Sequence, residues 1–112
     1  MSVAKGIAKM ILARVPTDKA FYFYGDIGKP LGAFASSLEE FGEKLKMVEA
    51  KSLEFHTRRG DFDKWVYMLG DGELAKSLIK VRDGNYSGEQ LRTELVKTVK
   101  TRINQLKRPA PK

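Results

Sequence analysis

Apolar residues recur at intervals of three and four along most of the chain, and this spacing predicts a mainly α-helical protein of five or six short helices. The first helix is predicted over residues 3–14, because Pro16 ends the pattern. The later apolar stripes are Leu38, Phe41, Leu45 and Val48; Leu53 and Phe55; Phe62, Trp65, Val66 and Leu69; Leu74, Leu78 and Val81; and Leu91, Leu95, Val99, Ile103 and Leu106.

Capping residues mark where these helices begin. Two capping boxes are predicted, each a serine with Glu or Gln three residues later: Ser37 with Glu40, and Ser87 with Gln90. Asp61 and Asp71 each follow a glycine and are predicted to cap the helix that comes next.

A different pattern near the start of the chain predicts a β-hairpin. Residues 21–24 are all aromatic, residues 31–35 form the next apolar run, and turn-forming residues fill a six-residue loop over 25–30. A phosphate-binding loop is the alternative for this glycine-rich stretch, but Lys29 is followed by Pro30 where that motif requires Ser or Thr. The hairpin is favoured, so the fold class is mainly α with a small N-terminal hairpin (α+β).

A chain of 112 residues with 42% hydrophobic residues suits one compact domain with a modest core. We predict that this domain covers residues 1–108 and opens with a basic amphipathic segment over 1–16. Residues 109–112 are predicted to be a disordered tail.

Composition excludes several classes of site. The chain has no cysteine and one histidine, so disulfides, thiol nucleophiles and cysteine zinc sites are excluded, and we expect no metal and no cofactor. No apolar run reaches the roughly 18 residues of a membrane span, and the N-terminal pattern does not fit a secretory signal. We therefore expect a cytoplasmic protein without integral membrane association.

The excess of positive charge lies at the two ends of the chain. There are 21 Lys and Arg against 14 Asp and Glu, for a formal net charge of +7. Residues 1–35 carry a net +3 and residues 84–112 a net +5, whereas residues 36–83 are nearly balanced at −1. Basic termini favour polyanionic partners. Many lysines, few amides and no cysteine are also typical of thermophiles.

The last helix carries the most concentrated basic surface. At about 100° per residue, four cations fall on a side away from the apolar stripe and form a ridge suited to backbone phosphates: Lys97, Lys100, Lys107 and Arg108. Secondary candidates for phosphate contact are Lys5, Lys9, Lys19 and Lys29. The alternative is that the ridge is only a solvated outer face.

Aromatic residues of the first strand offer a second mode of contact. Alternation along a strand sends Phe21 and Phe23 to one face and Tyr22 and Tyr24 to the other. If the two tyrosines are exposed beside lysines, they can stack on nucleobases. The alternative, which we favour, is that they pack under the terminal helices.

His56 is the one candidate general base, but catalysis needs a positioned nucleophile or second titrating group beside it. A histidine hydrogen-bonded to a carboxylate or to a neighbouring helix fits this sequence better. Trp65 lies in an apolar stripe and is expected in the core. Arg59, Gly60 and Asp61 spell a tripeptide read by adhesion receptors, but helix capping explains them better.

An ordered set of motifs carries a family resemblance. SLEEF stands at residues 37–41, SLEFH at 52–56, RGDF at 59–62, WV at 65–66, LGD at 69–71 and LA at 74–75. Over residues 20–106 the chain resembles a family of small archaeal and bacterial domains of unknown function. The resemblance implies one compact intracellular domain, in which His56, Arg59, Asp61 and Trp65 form a local structural unit that locks two helices together. It implies no reaction and no ligand.

The sequence thus favours a non-catalytic binding module that contacts nucleic acid phosphates through its basic ends, without sequence specificity. The alternative is a protein-interaction or scaffolding domain with no nucleic acid role, in which residues 1–14 dock on a partner that can be a second copy of the chain. Peripheral membrane binding by this segment, and an enzyme built on His56, are weaker possibilities.

Overall fold

Six α-helices and one β-hairpin make up the part of the chain that the computed structural model describes, residues 3–26 and 28–108. In chain order they are α1 (Lys5–Leu12), β1 (Phe21–Asp26), β2 (Lys29–Ala35), α2 (Leu38–Leu45), α3 (Ala50–Arg59), α4 (Asp61–Met68), α5 (Gly72–Asp83) and α6 (Gly88–Lys107), with a short 3₁₀ turn at Thr17–Lys19. The predicted fold class, mainly helical with a small N-terminal hairpin, is confirmed. The tail predicted to be disordered, residues 109–112, lies outside the described residues.

Helix α6 is the element on which the fold is assembled. It packs against α1, α2, α3 and α5, and its Leu91, Leu95, Val99 and Leu106 are at most 1% exposed. Ile103, expected to face inward with them, is only partly buried. The Cα radius of gyration of 13.5 Å fits one compact globule of this length.

The hairpin covers one end of the helical core with an aromatic cluster. Phe21 and Phe23 point inward, and Phe23 is completely buried. The Phe21 ring centroid lies 5.6 Å from that of Phe41 on α2 and 5.2 Å from that of Phe62 on α4. Ring pairs at such separations contribute beyond simple area burial. These contacts give the two-stranded ribbon the support that it lacks alone.

The predicted six-residue hairpin loop is wrong, because the strands continue to Asp26 and resume at Lys29. The antiparallel register shifts between Tyr22 and Tyr24 and again between Tyr24 and Asp26. These irregularities accommodate the glycine-rich stretch within the ladder. Pro30 is tolerated because it lies in a two-stranded ribbon, where each strand has an unpaired edge.

Two of the four predicted helix caps form. The Ser37 hydroxyl accepts a hydrogen bond from the Glu40 backbone N–H at 3.2 Å, and the Glu40 carboxylate accepts one from the backbone N–H of Ser36. The Asp71 carboxylate accepts a hydrogen bond from the Leu74 N–H at 3.0 Å. Helices α2 and α5 therefore begin where the sequence predicts.

The other two predicted capping bonds do not form, although Ser87 is the N-cap residue of α6. The Ser87 side chain makes no capping bond, and the carboxylate of Glu54 on α3 accepts a hydrogen bond from the Gly88 N–H at 2.7 Å instead. The N-cap of α4 is Gly60, so Asp61 is the first helical residue. Its carboxylate is turned to two basic side chains, which bind it more strongly than a backbone N–H does.

Candidate functional site

The four cations of the predicted ridge are all exposed, three of them on α6 and Arg108 directly after its last residue. Two of them have acidic partners: Lys97 Nζ is 3.5 Å from Glu94, and Lys107 Nζ is 2.6 Å from Glu39 on α2. Within the described residues, Lys100 and Arg108 have no such partner. The ridge is therefore present, but carboxylates neutralise part of its charge.

The two basic ends of the chain pack together, because α1 lies against α6. Lys5 and Lys9 are exposed on α1, whose Ala8 and Ile11 are buried. A groove of about 610 Å³ runs between the two helices, with Ile7 on one side and Lys97 on the other. The buried face of α1 is thus already used within the molecule, so docking of residues 1–14 on a partner would involve the exposed face of α1.

The structure brings His56, Arg59 and Asp61 into one cluster where α3 meets α4. His56 Nδ1 lies 2.8 Å from Asp61 Oδ2, and Arg59 Nε donates to the same oxygen at 3.0 Å. The backbone N–H of Tyr24 donates to His56 Nε2 at 2.8 Å, which ties β1 to the two helices. We refer to His56, Arg59 and Asp61 as the histidine cluster.

These contacts determine the state of the imidazole. Because Nε2 accepts a hydrogen bond, it carries no proton, so Nδ1 is protonated and donates to Asp61. Burial lowers the pKa of His56 below its usual 6.5, although the hydrogen bond to Asp61 opposes this. His56 is therefore neutral at pH 7, and both ring nitrogens are already engaged.

An open groove of about 400 Å³ lies beside this cluster, between the hairpin and helices α3 and α4. Aromatic and basic side chains share its wall: Phe21, Tyr22, Tyr24, Phe55, His56, Trp65, Arg59 and Lys64, with Asp61 and Gly28. We call it the aromatic groove. Tyr22 is 44% exposed and Tyr24 is half-buried, so neither tyrosine packs under the terminal helices as favoured above.

Two of the predicted cations flank the tyrosine strand. Lys19 precedes β1 and is exposed, and its backbone carbonyl accepts a hydrogen bond from Trp65 Nε1 at 2.8 Å. Trp65 is in the core, as expected, with 8% of its surface exposed. Lys29 begins β2 opposite Asp26. Both lysines lie nearer to the hairpin than to the ridge on α6.

The sequence patterns did not predict a second cluster, in which Arg102 on α6 forms an ion pair with Asp71. Arg102 Nε and Nη2 donate to the two carboxylate oxygens at 2.8 and 2.9 Å. The Asp71 side chain is 1% exposed and that of Arg102 is 13% exposed. The predicted cap assigned the Asp71 carboxylate a structural role, but no local pattern indicates that it also binds an arginine 31 residues later in the chain.

In the described part of the chain, no group of three or more His, Asp and Glu side chains is arranged to hold a metal ion. Within the same residues, no helix combines the length and the apolar character needed to span a membrane.

The chain belongs to a family of unknown function (DUF5752), whose model matches residues 8–100. The resemblance to a family of small domains of unknown function is therefore confirmed. No curated protein and no solved structure matches the chain significantly. The matched span contains the histidine cluster and the aromatic groove, and it ends at Lys100, before Lys107 and Arg108.

Proposed function

We propose that this member of the family is a non-catalytic module that binds nucleic acid through its phosphates, without reading sequence. The observation that carries the proposal is the packing of α1 against α6, which puts basic residues from both ends of the chain on neighbouring helices. Lys5 and Lys9 are exposed on α1, Lys97 lines the groove that α1 shares with α6, and Lys100 lies on the side of α6 that faces α2. Each phosphate that they neutralise releases condensed counterions, which supplies the free energy of binding.

The ion pairs that some ridge residues already form predict which of these residues contribute most to phosphate binding. Lys100 and Arg108 can bind a phosphate at no electrostatic cost, because no described acidic side chain pairs with them. Lys97 and Lys107 must first leave Glu94 and Glu39. Exposed ion pairs of this kind are weak, so a phosphate can displace the carboxylate, but the net gain is smaller.

The state of His56 supports a binding role over a catalytic one. A general base needs a free ring nitrogen within reach of its substrate. In His56, Nε2 already accepts from the Tyr24 N–H, Nδ1 donates to Asp61, and the side chain is only 4% exposed. Holding the hairpin against α3 and α4 accounts for these contacts.

Fluorescence anisotropy with labelled duplex and single-stranded DNA and RNA tests the proposal. Between 50 and 200 mM salt, about two to four phosphate contacts predict a log–log slope between about −1.5 and −3.5, depending on strandedness. Replacing Lys100 and Arg108 by Gln should make the slope shallower by about one to two. The matched control, Lys76→Gln with Lys80→Gln on α5, should change affinity less. A slope unaffected by the α6 substitutions contradicts the proposal.

Protein interaction is the second candidate, favoured by an exposed apolar surface at the junction of α1 and α4. Ile7 and Met10 are 49% and 55% exposed, and Met68 is 45% exposed. The Met10 side chain lies over Gly70, whose φ of +104° and missing side chain leave room for it. We propose a second copy of this chain as the occupant, because α1 presents these two residues beside its own buried face.

Sedimentation velocity from micromolar to millimolar protein tests this dimer. An Ile7→Lys and Met10→Lys double variant should stay monomeric where the native chain associates. Met47→Lys is the control, because Met47 is 72% exposed on the loop after α2. A native chain that is monomeric throughout this range excludes the dimer.

A further inference from the structure

We propose that the aromatic groove holds one unstacked nucleobase together with its phosphate. The inference deepens the proposed function and rests on it, since it names the unit of nucleic acid that is recognised away from the α6 ridge. The groove lies between β1 and helices α3 and α4, whereas the ridge lies on α6. The two surfaces can therefore be altered independently.

The aromatic wall of the groove is held in place and remains accessible. The Tyr22 ring is stacked on Phe34 at 5.6 Å between centroids, and its hydroxyl donates to the Thr17 carbonyl. The backbone of Tyr24, though not its ring, is held by the hydrogen bond that its N–H donates to His56. A half-exposed ring that is already immobilised loses little entropy on binding, and every nucleobase offers a π-face to it.

Two cations border the same groove. The Arg59 guanidinium lies 5.0 Å from the centre of the Phe55 ring, and its side chain is 52% exposed. Lys64 is exposed and has no ion pair among the described residues. The one acidic side chain in the lining, Asp61, is already bound by His56 and Arg59. The uncompensated positive charge favours an aromatic ligand that carries an anion.

Size and access fit a single nucleotide. The groove volume of about 400 Å³ is in the usual range for small-ligand sites. Gly28 lines the groove with φ +73°, and, its chain neighbours apart, no atom of the described residues lies within 4 Å of the position that a side chain would occupy. A paired base in a duplex cannot reach such a site without leaving its stack.

Trp65 provides a readout located at the site, since it lines the groove and is the one tryptophan of the chain. Titration with adenosine 5′-monophosphate should change its fluorescence saturably. Inorganic phosphate at equal concentration should have no effect, and adenosine should bind more weakly than the monophosphate. The inference is overturned if the monophosphate leaves Trp65 fluorescence unchanged and calorimetry detects no binding.

The source of the nucleotide is settled by comparing the monophosphate with a short single strand. If the strand binds at least tenfold more tightly per site and still perturbs Trp65, the groove takes a base from a strand. If the two bind equally, it takes a free nucleotide. Both outcomes support the shared chemistry of base and phosphate.

Substitutions at exposed positions test the groove without unfolding the protein. Lys64→Gln should weaken binding of the monophosphate about fivefold, and Tyr22→Leu at least as much. Lys76→Gln and Tyr67→Leu are the matched controls, because Lys76 is exposed on α5 and Tyr67 is 70% exposed outside the groove. Unchanged affinity in both groove variants overturns the inference.

An oligonucleotide of abasic sites separates this inference from the proposed function, because it offers phosphates without bases. If it binds as tightly as an ordinary single strand and depends on Lys100 and Arg108, the α6 surface binds phosphates and the groove proposal fails. If the monophosphate perturbs Trp65 but the α6 substitutions change nothing, the groove stands and the proposed phosphate surface fails.

Discussion

Two clusters in this protein use the same chemistry, a carboxylate held by a basic side chain, in opposite surroundings. Asp71 and Arg102 are closed off from solvent and join α5 to α6 through two parallel hydrogen bonds. His56 and Asp61 join β1, α3 and α4, and they lie at the wall of an open groove. The first cluster is a buried ion pair, whereas the second combines an exposed arginine with a neutral imidazole on one carboxylate.

The difference shows which cluster can change its charge with pH and be reached by a ligand. Arginine stays protonated under all ordinary conditions, so the Asp71–Arg102 pair acts as a fixed connection. The histidine cluster changes charge if its imidazole is protonated, and it faces a cavity that a ligand can enter. We expect substitutions in the Asp71–Arg102 pair to cause a large loss of unfolding free energy, and substitutions in the histidine cluster to cause smaller losses.

The largest effect is expected from Arg102→Met. This change leaves Asp71 buried with one remaining hydrogen bond, from the Leu74 N–H. Removing one partner of a buried ion pair costs about 3–5 kcal/mol of unfolding free energy. Urea denaturation measures the loss. Arg58→Met is the control, because its side chain is 77% exposed and 3.9 Å from Glu54, and it should cost under about 0.5 kcal/mol. Equal losses of unfolding free energy in the two variants would show that the buried ion pair stabilises the protein no more than the exposed one.

A smaller effect is expected from Asp61→Ala. It leaves the buried Nδ1–H of His56 without an acceptor, which costs about 1–3 kcal/mol. Asp61→Asn keeps an acceptor oxygen and should recover part of that loss. The same urea measurement compares the two variants. An Asn variant as unstable as the Ala variant would show that the charge of Asp61, and not its hydrogen bond, is what the cluster needs.

The pH dependence of stability near neutrality reports on the protonation of His56. Burial lowers the pKa of His56 in the folded state, so between that value and 6.5 the unfolded chain binds more protons than the folded one. Stability should therefore be complete above pH 6.5 and fall as the pH drops below it. The carboxyls of Glu40 and Glu89, whose pKa values are lowered from 4.5 by hydrogen bonds from Ser36 and Arg92, contribute in a more acidic window.

Unfolding free energies at pH 7.5, 6.5 and 5.5 measure this slope, and NMR titration of the imidazole measures the pKa directly. His56→Gln should flatten the slope between pH 5.5 and 7.5, since the chain has no other histidine. A folded-state pKa of 6.5 or higher would contradict the lowering of the His56 pKa by burial and the predicted fall in stability.

The smallest effect is expected one turn away from His56, at Ser52. Its side chain is completely buried, and its hydroxyl has no hydrogen-bond partner among the described residues. Ser52→Ala removes an unsatisfied polar group and improves helix propensity, so it should stabilise the protein by about 0.5–1 kcal/mol. Ser77→Ala, at an exposed position of α5, should stay within about 0.5 kcal/mol of the native chain. Destabilisation by Ser52→Ala would reveal a partner for that hydroxyl.

Local patterns were enough to predict the fold class and part of the helix boundaries. Ser37 and Asp71 cap their helices because every atom of such a cap lies within four residues. Ser87 has the same local signature as Ser37, yet its helix is capped by Glu54. The tertiary contact displaced the local one, and no sequence window around Ser87 contains that information.

The candidate sites were harder to predict for the same reason. The ridge on α6 follows from helical geometry alone, but the ion pair between Lys107 and Glu39 on α2 depends on how the two helices pack. The aromatic groove combines residues from β1, α3 and α4, and its existence depends on the angle between them. The sequence indicates which side chains are chemically suited to a site, whereas packing decides which of them share a cavity.

The carboxylate of Glu54 at the start of α6 has a consequence for how the chain reaches its native state. Most of the stability of a helix in a protein comes from tertiary packing, and the first turn of α6 takes its cap from an element completed about thirty residues earlier. Helix α6 also packs against α1, α2, α3 and α5, so the buried surface of these helices is complete only when α6 is in place. During synthesis we therefore expect the earlier elements, which already meet in the aromatic cluster, to gain this further burial last. The rate of that final step depends on long-range contacts as well as on local helix formation.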